Sequence, residues 1–363
     1  MLQRSDGGRP FYLLPPKQKV FVPVDQIDIE NGATEHVVTD QFGFCNPVGV
    51  KISDIDVLAV GDSFTWCTTL SAAASWPARV SELLGTGVYN AGLSGVGFYE
   101  YLELARHMLK QLEVTTLVVA IYAGNDLLNA HGFKQYRRAM SNGEVDPEIA
   151  AMPDFDQRST LGKLYYLVID KSPLGNYSYA ANVAGSLALQ AKNWLFEQNI
   201  YQRPELVDID FRYLIEKRGG QTVAFNPFNL DRNERLGAYH LSRGALDTKL
   251  WDEGVERLSR LQRDENLDVV ILLIPSAHIA YRDSSLFVDV NAKQALLEFH
   301  QRQSEYFAEK ASENGWKYKD LADSFVASVA ETDELLYFPG NLHLTRHGHQ
   351  VVAHEVLYLL EAH

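Results

Sequence analysis

Four short blocks of this chain carry side chains suited to one reaction. Ser63 lies in Gly61-Asp62-Ser63-Phe64-Thr65, and Gly92 and Gly95 lie in Asn90-Ala91-Gly92-Leu93-Ser94-Gly95. Asn125 lies in Gly124-Asn125-Asp126, and His343 closes the segment Tyr337-Phe338-Pro339-Gly340-Asn341-Leu342-His343. Attack on an ester carbonyl needs a nucleophile, a base, and donors where the oxyanion forms. Ser63 offers the hydroxyl. The N–H groups of Ser63 and Gly95 and the side-chain amide of Asn125 are the candidate oxyanion donors. Glycine suits close approach of backbone to substrate, because a Cβ would obstruct it. Asparagine donates without a titratable charge. Each block alone has a plainer reading: a lone serine caps a helix, and a lone glycine shapes a turn, the role expected of Gly92.

The elements that must position these groups follow from hydrophobic patterning. Ile55 to Val60 is a short apolar run bounded by charge and glycine, which reads as a buried strand ending at Ser63. Val88 to Asn90 and Thr116 to Tyr122 are two more strands, each closed by a small, glycine-bearing turn. In a parallel sheet of order 2-1-3-4-5 the carboxyl ends of strands 1 and 3 flank the usual ligand crevice, so the three turns converge. A helix is expected to start at Ser75-Trp76-Pro77-Ala78, and another spans Phe98 to Leu112. The later core reads as helix Lys249 to Arg263, strand Asp268 to Ile274, helix Asn291 to Asn314, strand Trp316 to Asp320 and a last helix Gln350 to Leu360.

Before the core, Val20 to Ile29 and Thr34 to Thr39 flank Asn31-Gly32, a strong hairpin signal. Between the two halves of the core, His131 to Leu250 is too long for a structureless loop and is expected to be mostly helical, with Tyr179 to Glu197 the clearest helix. The expected organisation is an arm and hairpin over 1–50, a first core part over 51–130, an insertion over 131–248 and a second core part over 249–363. The fold class is an α/β/α sandwich on a five-stranded parallel sheet.

Taken together, the G-D-S-F-T block, the N-x-G-x-x-G block, the G-N-D block and the histidine before the last helix resemble the SGNH (GDSL-type) hydrolase superfamily. The resemblance spans most of residues 55–130 and 266–361. It implies Ser63 as nucleophile, His343 as base, and Ser63, Gly95 and Asn125 as the oxyanion hole. It also exposes a departure. The family places Asp two or three residues before the histidine, where this chain has Asn341 and Gly340. An asparagine can accept an imidazole N–H through its carbonyl, or flip and donate so that the wrong tautomer is trapped, and it brings no charge to stabilise the imidazolium. In a serine protease the matching change costs about 10⁴ in kcat. The outcomes left open are a slower Ser-His-Asn enzyme, a dyad whose histidine is held by a backbone carbonyl or by a distant acid such as Asp320 or Asp323, and an inactive scaffold.

Other chemistries find less support. The nucleophile elbow of an α/β-hydrolase needs G-x-S-x-G, and Thr65 breaks it. No phosphate-binding or dinucleotide loop occurs, and no metal-ligand spacing is compelling, so no cofactor is expected. The net charge of −14 over 363 residues opposes nucleic acid and anionic membranes, both of which demand basic surface. Two cysteines, Cys45 and Cys67, imply no disulfide framework and leave the redox compartment undecided. No signal-length apolar stretch opens the chain, so it reads as soluble as written, or exported if the start is a trimmed one.

The expected function is serine-dependent hydrolysis of an O-acylated substrate of carbohydrate class through an acyl-Ser63 intermediate. Acyl transfer at the same site and a non-catalytic glycan-binding module are the alternatives. Asp126, His278, Phe225 and Phe228 are the candidate substrate contacts. The expected partner is a small-molecule or glycan ester, with no membrane span.

Overall fold

A computed structural model describes residues 36–67, 70–126, 211–217, 220–225, 232–244, 246, 248–339 and 342–361, with strand pieces at 2–3, 11–12 and 19–21. These belong to the compact unit of Met1–Arg137 and Phe211–His363; a second unit, Arg138–Asp210, lies outside the described residues together with the helix expected over Tyr179 to Glu197.

The centre is a sheet of five parallel strands: β1 (Ile55–Gly61), β2 (Gly87–Asn90), β3 (Thr116–Tyr122), β4 (Asp268–Ile274) and β5 (Lys317–Asp320). Their spatial order is 2-1-3-4-5, so β1 lies between β2 and β3. After its first residue each of β3 and β4 is buried throughout, as parallel strands covered on both faces must be.

Seven longer helices accompany the sheet among the described residues: α1 (Trp76–Leu84), α2 (Phe98–Leu109), α3 (Arg232–Ser242), α4 (Lys249–Glu265), α5 (Val290–Asn314), α6 (Ala322–Glu331) and α7 (Arg346–Glu361). The right-handed rule for crossovers puts α2, α4 and α5 on one face of the sheet and α1 on the other, and α7, which follows the last strand with α6, packs on α1. The packing agrees: α2 meets α4, while α7 also meets α6. Phe307 of α5 sits against both Trp251 of α4 and Phe98 of α2. Pro77 opens α1, and Gly85 at φ 72° closes it.

Two elements depart from the sequence expectations for local reasons. The last helix begins at Arg346, not Gln350, because the Thr345 hydroxyl caps it by accepting from the Gly348 N–H at 3.2 Å. The described end of the insertion is not only helical. Tyr213–Glu216 and Thr222–Ala224 are strands that join Ser285–Phe287 in a three-stranded antiparallel sheet. Tyr213 and Ile215 point inward while Leu214 and Glu216 point outward, the alternation of a half-covered sheet. At the front of the chain Lys19–Phe21 pairs antiparallel with His36–Val38; the expected Asn31-Gly32 turn between them lies outside the described residues.

Candidate active site

Ser63 sits half-buried at the tip of a tight turn that begins where β1 ends. The Asp62 carbonyl accepts from the Thr65 and Trp66 N–H groups at 3.1 and 2.9 Å, and the Asp62 carboxylate accepts from the Phe64 N–H at 2.9 Å. The glycine block lies alongside, in register, with the Leu93 N–H on the Gly61 carbonyl at 3.0 Å. Asn90 ties the two turns. Its amide donates to the Thr65 carbonyl at 2.8 Å and accepts from the Gly92 N–H at 2.9 Å. Gly92 must be glycine, since a Cβ would come within 2.6 Å of the Trp66 nitrogen. Gly95 takes a left-handed backbone at φ +80°, which favours glycine, and a Cβ there would meet no protein atom within 4 Å.

The third turn follows β3. The Ala123 N–H reaches the Ile274 carbonyl of β4 at 3.0 Å, and Gln303 of α5 donates to the Ala123 carbonyl at 3.0 Å. Asn125 stands at the tip, half-buried, with its Oδ1 enclosed and met by no hydrogen-bond donor among the described residues. Asp126 turns inward instead. It accepts from Tyr101 Oη at 2.7 Å and from the Tyr122 N–H at 2.8 Å. Burial, and then the charge of Asp62, push its carboxyl well above the usual carboxylate range. Asp126 is a buried brace for this turn.

His343 lies on a hairpin-like connection between α6 and α7. The Phe338 N–H donates to the His343 carbonyl at 2.9 Å, the Leu342 N–H to the Phe338 carbonyl at 2.8 Å, and the Thr345 N–H to the Leu336 carbonyl at 2.9 Å. Leu342 takes a left-handed backbone at φ 59°, uncommon for a non-glycine residue. Tyrosines fasten the hairpin from below: Tyr337 Oη donates to the Pro275 carbonyl, and Tyr281 Oη accepts from the Leu336 N–H at 2.7 Å. The imidazole of His343 stacks on Phe64, the residue after Ser63, with ring centroids 5.1 Å apart. Phe64 in turn stacks on Tyr122 of β3 at 3.8 Å. One aromatic column therefore brings the histidine to the ends of β1 and β3.

His349, at the start of α7, is buried and accepts from the Trp76 N–H of α1 at 3.2 Å. Burial first, and then the neighbouring His343, lower its pKa to about 3. It stays neutral at neutral pH. Asn341 and Gly340 lie outside the described residues. The two acids considered as replacements are engaged elsewhere: Asp320 accepts from His300 Nε2 at 3.0 Å and the Ala322 N–H at 2.9 Å, and Asp323 pairs with Arg282 at 2.7 Å.

The candidate substrate contacts in the second half sit deep. His278 is 2% exposed, 3.2 Å from the Glu234 carboxylate and edge-on to Tyr213 and Phe287. Burial, then His300 and Lys293, hold it neutral with a pKa near 3. Phe225 is buried against Tyr213, and Phe228 lies outside the described residues. Among the described residues no three His, Cys, Asp or Glu side chains gather as metal ligands would. No described helix is long and apolar enough to cross a membrane.

Sequence reasoning missed what lies behind Ser63. Cys45 and Cys67, both fully buried, form a disulfide with Cα atoms 6.1 Å apart. Two cysteines 22 residues apart give no spacing signal; only the fold brings the lead-in segment onto the Ser63 turn.

No family model matches the chain, and no curated protein matches it in sequence. Solved structures do resemble it. A member of the lipolytic protein G-D-S-L family from Veillonella parvula aligns at 10% identity over 85% of this chain and 100% of its own, with a TM-score of 0.39. Axe2, an acetylxylan esterase from Geobacillus stearothermophilus, aligns at 10% identity over 86% of this chain and 98% of its own, with a TM-score of 0.36.

Proposed function

We propose that this chain is a serine ester hydrolase of the SGNH type, with Ser63 as nucleophile and His343 as base. The observation that carries the reading is the meeting of the Ser63, Gly95 and Asn125 turns at adjacent strand ends, with the His343 imidazole stacked on Phe64. Ser63 Oγ attacks the acyl carbonyl while His343 takes its proton. The N–H groups of Ser63 and Gly95 and the Asn125 amide hold the oxyanion of the tetrahedral intermediate. As the intermediate collapses, His343 returns the proton to the leaving alcohol, and water then releases the acyl group from Ser63 by the reverse sequence.

Two surrounding features favour this division of roles. The neutral His349 adds no positive charge against the imidazolium that forms on His343. The Phe64–Tyr122 stack fixes the plane in which the imidazole lies. The test is labelling with a fluorophosphonate, followed by peptide mapping, beside turnover of p-nitrophenyl acetate and an acetylated xylo-oligosaccharide. The adduct is expected on Ser63, and Ser63→Ala is expected to lose both label and turnover while its stability stays within about 1 kcal/mol of wild type. A label elsewhere, or undiminished turnover in Ser63→Ala, would refute the assignment.

A further inference from the structure

The segment ahead of β1 folds into a small clasp around one carboxylate. Asp40 Oδ1 accepts from the N–H groups of Phe42 and Phe44 at 2.9 and 3.0 Å. Its Oδ2 accepts from Tyr89 Oη of β2 at 2.5 Å and from Asn46 Nδ2 at 2.9 Å. Asn46 is 2% exposed and grips the backbone of Asn90 from both sides: Nδ2 donates to the Asn90 carbonyl at 3.0 Å, and Oδ1 accepts from the Asn90 N–H at 2.8 Å. Asn90 is the residue whose side chain binds Thr65 and Gly92. Cys45, next to Asn46, is bonded to Cys67 at the far end of the nucleophile turn.

A chain of contacts thus runs from the clasp to two of the three turns that carry the proposed oxyanion donors, those of Ser63 and Gly95, and a covalent bond closes it into a ring. The ring passes through Cys45, Asn46, Asn90, Thr65 and Cys67. Every polar group of the Asn46 amide is spent on it or on Asp40, so its geometry leaves little freedom at Asn90. We propose that Asn46 is a positioning residue for the reaction centre, held there by the Cys45–Cys67 disulfide, and that a dithiol reductant slows turnover by releasing it. In that step the S–S bond breaks and two thiols form. The reductant supplies the two electrons and two protons and closes to its own disulfide.

The proposal rests on the hydrolase reading, so its test includes a measurement that does not. Kinetics on p-nitrophenyl acetate compare wild type with Asn46→Ala, each before and after dithiothreitol with free thiols counted; a Cys45→Ala/Cys67→Ala variant covers a disulfide too buried to reduce. Asn46→Ala is expected to lower kcat roughly 10- to 100-fold at unchanged KM, as a misplacement of about 1 Å does. Reduction should lower wild-type kcat and add nothing in Asn46→Ala, because both act through one path. Wild-type kcat in Asn46→Ala, or equal losses on reduction in both backgrounds, would overturn the proposal.

Hydrogen exchange over residues 62–67 and 90–95 reads the clasp without turnover. Faster exchange there in Asn46→Ala and in the double cysteine variant is expected, and unchanged exchange overturns the proposal. A wild type that hydrolyses no ester and takes no label, yet shows that faster exchange on substitution, would refute the hydrolase reading and leave the clasp standing.

Discussion

The turn that carries Ser63 and the hairpin that carries His343 meet at one site but are held by different means. Around Ser63 the restraints are backbone and amide bonds between neighbouring strand ends, reinforced by Asn46, Asn90 and a disulfide. Around His343 they are aromatic side chains reaching from other elements: Tyr337 on Pro275, Tyr281 on Leu336, and the stack through Phe64 to Tyr122. The first kind is set as soon as β1, β2 and β3 pair. The second needs the C-terminal half packed on the sheet. On the proposed reading the first arrangement carries an oxyanion hole, which must be preorganised to act, while the imidazole of the proposed base needs only a fixed plane and tautomer.

The sharpest test of this contrast is on the His343 side. Asn341→Asp would place a carboxylate where the resemblance to SGNH hydrolases expects an acid, and charge there stabilises the imidazolium and selects the Nδ1–H tautomer. On the proposed reading kcat at neutral pH rises, by no more than the roughly 10⁴-fold that separates Asp from Asn in a serine protease. His343→Ala should abolish the gain. An unchanged kcat in Asn341→Asp would mean that another group orients His343. On the Ser63 side, Asn125→Ala is expected to cost about 10²–10³ in kcat with little change in KM, the usual loss for one oxyanion donor. A raised KM at constant kcat would make Asn125 a binding residue instead.

What the sequence disclosed follows the same division. The apolar runs of β1, β3 and β4 and their turns were legible because each is local and, apart from one residue near its start, buried, so composition alone marks them. Ser63 and Asn125 ride on two of those runs, and Gly95 on the turn after the shorter β2. The His343 hairpin was legible only as a motif, since its anchors Tyr281 and Pro275 lie about sixty residues away in sequence. The small antiparallel sheet was missed because strands of three or four residues have too short a period to read, and Phe287 pairs with Tyr213 across a long separation. Asn46 and the cysteines gave no signal, because their partners are chosen by the fold.

The two sides also carry opposite buried titrations, and stability reads them. His349 and His278 both have folded pKa values near 3, below the usual 6.5. The unfolded chain therefore binds protons that the folded chain refuses. Stability is expected to be intact above about pH 6.5 and to fall as pH drops towards 3, by about 1.4 kcal/mol per pH unit for each histidine. His349→Asn keeps an acceptor for the Trp76 N–H and removes one of these titrations. Its denaturant-unfolding stability should fall less steeply between pH 6 and 4; an unchanged slope would show that His349 protonates without cost.

On the Ser63 side the sign is reversed. Asp126 has a folded pKa raised by burial and by Asp62. Above the ordinary carboxylate pKa of 3.8 the unfolded chain gives up a proton that the folded chain keeps, so stability falls as pH rises from there. Asn in its place removes that titration. Its Oδ1 still accepts from the Tyr122 N–H, and its Nδ2 donates to Tyr101 Oη, whose hydroxyl rotates to accept. Asp126→Asn is therefore expected to be more stable than wild type at pH 7, by about 1 kcal/mol, the scale of a single substitution. That advantage should shrink as pH falls through 3.8 and vanish well below it, where wild-type Asp126 is neutral in both states. An advantage independent of pH would come from packing rather than charge, and a loss of stability at pH 7 would mean that Tyr101 and Tyr122 require the ionised carboxylate.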